Sequence, residues 1–191
     1  MYELVLFLHL LTIAVAFFAM GSMLTSIFRL RGATSVVAAR SAAATAAGIG
    51  KMMPILTVFM LATGGYLTQV RWTWTTPWID LSIVGLLVVT AWGGGVMGAR
   101  ERAVHHALES SRGSALDAGA ARLVVDPFLV IGNSADVGLV AGVMFVMVLK
   151  PSLAGGIAAL VVATACGALA GAAAVRPRDA LHAVTPEAIE A

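Results

Sequence analysis

Leu4–Phe28 reads LVLFLHLLTIAVAFFAMGSMLTSIF, a run with no formally charged residue. A bilayer core is about 30 Å thick, and roughly 20 apolar residues cross it as a helix rising 1.5 Å each. The run is long enough to span. Working outward, Lys51–Val70, Ile79–Ala99, Leu123–Leu149 and Ser152–Val175 meet the same condition, and the short segments between them hold nearly all the charge. The predicted fold is all-α, a polytopic membrane bundle of five transmembrane helices over residues 1–175, followed by a cytoplasmic tail at 176–191.

Composition agrees. Hydrophobic residues make up 60% and charged residues 12%, with a mean hydropathy of +0.94. A water-soluble domain needs a more polar surface. The net charge of +2 does not point to nucleic acid, because no soluble basic domain carries it. The expected partner is the lipid bilayer.

Basic residues set the expected orientation. Arg29, Arg31, Arg40, Lys51, Arg100, Arg102, Arg112, Arg122, Arg176 and Arg178 fall on one side of a five-span chain, and Arg71 and Lys150 on the other. The positive-inside rule then places the N-terminus outside and the C-terminus in the cytoplasm. Met-Tyr-Glu lacks the basic region that precedes a signal core, so the first run is expected to be a retained anchor. Cys166 is the sole cysteine, which excludes an intrachain disulfide and a zinc cluster of paired cysteines.

Between the spans, Gly32–Gly50 is rich in Ala, Ser and Thr and is expected to form a helix lying near the interface. Arg100–Arg122 is expected to prolong the third span before turning near Gly113. Trp72, Trp74 and Trp78 suit an aromatic belt at the outer face, where the ring is buried and its N–H stays wet. Gly94 with Gly98, Gly138 with Gly142, and Gly167 with Gly171 have the four-residue spacing that lets two backbones approach. The run Gly93-Gly94-Gly95 either admits a neighbouring helix closely or leaves room for a cofactor or a loosened backbone.

Asp136 lies thirteen residues into the fourth run, about 20 Å along a helix. An ionised carboxylate there costs several kcal/mol unless it is neutralised, paired or hydrated. With Asn133 and Ser134 it marks an intramembrane polar site. Either it binds a proton or cation, or it is a protonated, neutral group hydrogen-bonded to Asn133 and a neighbouring helix that holds the bundle together. His9 is the second candidate. Imidazole ligates haem iron, copper and zinc, and Met144 and Met147 fall at the same depth. A His and Met set suits Cu(I) or low-spin haem, because thioether is a soft ligand. The alternative is an ordinary hydrogen-bonded interfacial histidine. His105, His106 and His182 are expected to be solvated. No triad, phosphate loop, dinucleotide fingerprint or two-His metalloprotease helix is present.

Phe7-Leu8-His9-Leu10-Leu11 leading to Gly21, Gly64-Gly65-Tyr66-Leu67, and Met147-Val148-Leu149-Lys150-Pro151 together resemble small bacterial integral membrane proteins of unknown function, distantly similar to copper-resistance D-type membrane proteins. The early histidine is also similar to that of haem-binding membrane oxidases of protoporphyrinogen. The resemblance covers the first four spans. It implies the bacterial cytoplasmic (inner) membrane and a haem or copper role for His9. A second intramembrane histidine is missing, which argues against bis-His ligation, and the oxidase's Lys and His pattern is missing too. The leading expectation is a non-enzymatic membrane protein holding haem or copper through His9, with Met144 and Met147 as further cofactor ligands. Alternatives are a small proton- or solute-translocating protein centred on Asp136, and a homo-oligomer or accessory subunit docking through its glycine faces.

Overall fold

The computed structural model of the chain describes residues 1–111 and 118–175. The turn near Gly113, the segment 176–191 and His182 lie outside the described residues. Among the described residues the chain is all-helical: α1 (Tyr2–Arg31), α2 (Val36–Arg71), α3 (Pro77–Thr90), a π-helical turn (Ala91–Met97), α4 (Gly98–Ser110), α5 (Ala118–Val124), α6 (Pro127–Leu149) and α7 (Leu153–Val175). Five helical rods are long and apolar enough to cross a membrane.

Two boundaries differ from expectation, each for a local reason. The segment 32–50 is not a separate interfacial helix. Ser35 caps α2 by accepting from the Ala38 N–H, and the helix then runs unbroken through Gly48 and Gly50 to Arg71. Ala39, Ala42, Ala43 and Ala46 recur at helical spacing on its buried face, and the first three join Ile27, Leu30, Val104, Leu108 and Leu129 in the main apolar core. The third span continues as one rod to Ser110, as the sequence suggested. Its last carbonyls have no helical partner. Arg40 fills that need, donating to the Leu108 carbonyl at 2.9 Å and the Ser111 carbonyl at 2.7 Å. The fourth membrane-length rod, Gly119–Leu149, is broken between α5 and α6, and α6 starts at Pro127 rather than Leu123. Proline lacks the N–H that a helix interior requires but suits its first position, and Asp126 caps the new helix by accepting from the Phe128 N–H at 2.9 Å.

Glycines decide how the last two helices meet. A Cβ on Gly167 would lie 3.1 Å from the Gly138 Cα, and one on Gly142 would lie 3.0 Å from the Ala163 Cβ. Gly171 is equally close to Ile131, at 2.9 Å from its Cα. The α6–α7 pair therefore uses both expected glycine faces. Gly94 and Gly98 form no such face. A Cβ on Gly94 would meet nothing within 4 Å, and the nearest neighbour of one on Gly98 is the Arg102 side chain. The π-turn accounts for this, because its wider winding rotates successive glycines off a common stripe. Of the three consecutive glycines only Gly93 meets another helix, through Asp136.

Candidate functional site: an intramembrane cavity and a polar seam

A cavity of about 570 Å³ lies between α1, α2, α3 and α6. Its wall is apolar apart from a few groups, and His9, Met20, Met53, Met60, Met144 and Met147 all reach it. The structure thus brings His9, Met144 and Met147 to one space, as their depths implied. Trp72, Trp74, Trp78 and Lys150 close one end. Trp72 and Trp78 meet edge-to-face at 5.1 Å, and the Lys150 ammonium lies 4.3 Å over Trp72 and 5.4 Å over Trp78. Lys150 reaches this position from the end of α6, where it takes the left-handed conformation (φ 49°). Arg71 stacks 4.8 Å over Tyr2 beside the same mouth.

His9 is buried and held in one orientation. Its Nδ1 lies 2.9 Å from Thr63 Oγ1. Thr63 Oγ1 also lies 2.8 Å from the Phe59 carbonyl and 3.2 Å from the Met60 carbonyl, and a hydroxyl that donates to either of them accepts from His9 Nδ1–H. In this neutral tautomer Nε2 keeps its lone pair. Gly64, next to Thr63, leaves space for the ring: a Cβ there would sit 3.1 Å from the imidazole Cε1. Among the described residues no three His, Cys, Asp or Glu side chains converge as a metal cluster. An inorganic ion at His9 would need methionine sulfur to complete its shell.

The second site is a polar seam where α6 runs antiparallel to the α3–π–α4 rod. At its end Arg100 pairs with Asp126 at 3.1 Å and stacks over the Phe128 ring at 4.2 Å. Further in, Asn133 donates to the Leu129 carbonyl at 2.9 Å and makes a long 3.5 Å contact to Glu101 Oε1. Deeper still, Asp136 faces Gly93, whose substitution would set a Cβ 2.8 Å from Asp136 Oδ2. Asp136 is 7% exposed, and its Oδ1 has no hydrogen-bond partner among the described residues. The expected bond from Asn133 to Asp136 is therefore replaced by one to Glu101. Asp136 also lies nearer the end of its helix than expected, about 14 Å from Pro127 along the axis, because the helix starts four residues late. Ser134 is buried at the α6–α7 contact, its side chain 2.9 Å from where a Gly171 Cβ would lie. It belongs to helix packing and not to the seam.

Thr63 and Glu101 escaped the sequence reading. Thr63 carries no signal until α1 and α2 are paired. Glu101 sits in a charged stretch, between Arg100 and Arg102, that reads as solvated loop. Of the other histidines among the described residues, His105 and His106 both contact Glu109 on α4. Cys166 is exposed on α7. Compared with protein-family models, curated proteins and solved structures, the chain matches none of them.

Proposed function

We propose that this chain is a multi-pass protein of the bacterial cytoplasmic membrane that holds a haem in the cavity between α1, α2, α3 and α6, with His9 Nε2 as the iron ligand. The observation that carries the reading is the setting of His9. Ligating histidines characteristically donate the other ring N–H to a fixed acceptor, which sets tautomer and orientation. Thr63 supplies that acceptor for Nδ1–H. The cavity, at about 570 Å³, falls in the range of small-molecule and cofactor sites, roughly 300–1,000 Å³, and is too large for a bare ion. Its methionines, Met144 and Met147 on α6 among them, offer a soft second ligand. Lys150 and Arg71 at the mouth suit the two propionates of a porphyrin.

The orientation proposed with this has the N-terminus outside, so that the tryptophan-capped mouth faces the cell exterior. The test is the absorbance of the full-length protein, expressed with haem precursor and purified in detergent. A Soret band is expected in wild type and lost in His9→Ala. Wild type without a Soret band overturns the haem reading. The five methionines around the cavity favour Cu(I) as the second reading, and metal analysis showing stoichiometric copper without haem would select it.

A further inference from the structure

The polar seam is separate from the cavity, and nothing in the haem reading uses it. Buried polar atoms without partners are rare in folded proteins and need a reason. Asp136 Oδ1 is such an atom, on a side chain more than nine-tenths buried. The backbone opposite it is unusual as well. The rod is π-helical at Ala91–Met97, a winding that is rare and often found at functional sites, and Gly93 within it leaves only enough room for the carboxyl.

The charged groups around Asp136 are few. The α3–π–α4 rod contributes Arg100, Glu101 and Arg102. On α6 there is Asp126, already paired with Arg100. From α1, Arg31 donates to the Val125 carbonyl at the end of the seam. The described part of α7 carries no charge at all. Among the described residues no lysine or arginine forms a salt bridge with Asp136, and a buried carboxyl without such a partner favours its protonated form. Glu101 stands between it and the bundle end, its carboxylate steadied by the Asn133 amide.

We propose that Asp136, which faces the π-helical turn at Gly93, and Glu101, in the first turn of α4 beyond it, form with Asn133 between them a proton-uptake site that opens at the Arg100 end of the bundle. A proton arriving from water forms an O–H bond at Glu101. That bond then breaks as one forms at Asp136, which becomes neutral while Glu101 returns to the anion that Asn133 steadies. Asn133 is a positioning residue here. The inference does not depend on what fills the cavity.

The test is time-resolved infrared spectroscopy of the full-length protein in lipid, on exchange into D2O. Wild type should show the C=O stretch of a protonated carboxyl, absent in Asp136→Asn, that shifts as deuterium replaces the proton. Glu101→Gln, nearly isosteric and still able to accept from Asn133, should leave the band in place but slow its exchange by about a hundred-fold, the scale a positioned proton donor contributes. Glu101→Asp should restore most of the rate, which a merely structural role for Glu101 does not predict. Circular dichroism identifies any variant that fails to fold, and the two Glu101 variants read the same rate independently. Absence of an Asp136-dependent band overturns the proposal. So does a band whose exchange is equally fast with and without the Glu101 carboxyl.

Discussion

Single side chains decide what the cavity can hold. The His9 ring has two nitrogens with different fates, and Thr63 determines which is which. Its hydroxyl can donate only once, and with that proton on the Phe59 or Met60 carbonyl the imidazole presents Nδ1–H to it. Removing the acceptor releases the ring and lets the other tautomer compete. Thr63→Val keeps the side-chain shape and deletes the hydroxyl. Loss of such an outer-shell partner typically weakens metal affinity about 10–100-fold. We therefore expect Thr63→Val to retain the fold and to bind haem about 10–100-fold more weakly than wild type in a spectrophotometric titration. Equal affinity for wild type and variant would mean that Thr63 does not set the tautomer. Lys150 deserves a parallel reading at the mouth. A non-glycine residue at φ 49° sits in a small allowed region, and here that geometry ends α6 just before Pro151 and delivers the ammonium over two indole rings.

Helices meet through what their residues lack. In lipid, apolar side chains gain nothing by leaving one apolar medium for another, so close backbone approach and polar contacts supply the association. The α6–α7 contact is made this way, with Gly138, Gly142, Gly167 and Gly171 all at near-contact distances. Gly167→Leu would drive a branched side chain into the α6 backbone. Overpacking of this kind costs about 1–3 kcal/mol or more, and we expect lower thermal stability in detergent with α7 the first element to detach, read by proteolysis. An unchanged melting temperature would show that α7 is not held through this face. This contact was readable in advance because its cause is a local spacing. The seam was less readable. Asp136, Asn133 and Ser134 stood out as polar residues in an apolar run, but what they meet lies on other helices, and no spacing within one helix reveals a contact across two. Ser134 turned to α7 and Asn133 to Glu101. The glycine triplet was legible as an anomaly, and its meaning as a π-turn facing a carboxyl required the packed bundle. The start of α6 was in the sequence as Asp126-Pro127, a cap followed by a first-turn proline, yet the apolar residues before it blurred the boundary.

Across the whole molecule the two ends of the bundle are chemically distinct, and this asymmetry bears on how it sits in a membrane. At one end Arg40 closes α4, Arg31 reaches the Val125 carbonyl, and Arg100 pairs with Asp126. These cations brace the ends of helices there. At the other end Arg71 and Lys150 lie over aromatic rings beside the cavity mouth. Cytoplasmic loops are enriched in Lys and Arg, and tryptophan favours the membrane–water interface. Both tendencies are met when the arginine-rich end is cytoplasmic and the cavity mouth faces outward. The expected outcome can be read in intact cells. In a Cys166→Ser background, Thr75→Cys in the α2–α3 connection should react with a membrane-impermeant maleimide, while Ala33→Cys in the α1–α2 connection should react only after the membrane is permeabilised. The reverse pattern would turn the molecule over. The cavity would then take its ligand from the cytoplasm, and the proton site at the Arg100 end would draw on the exterior.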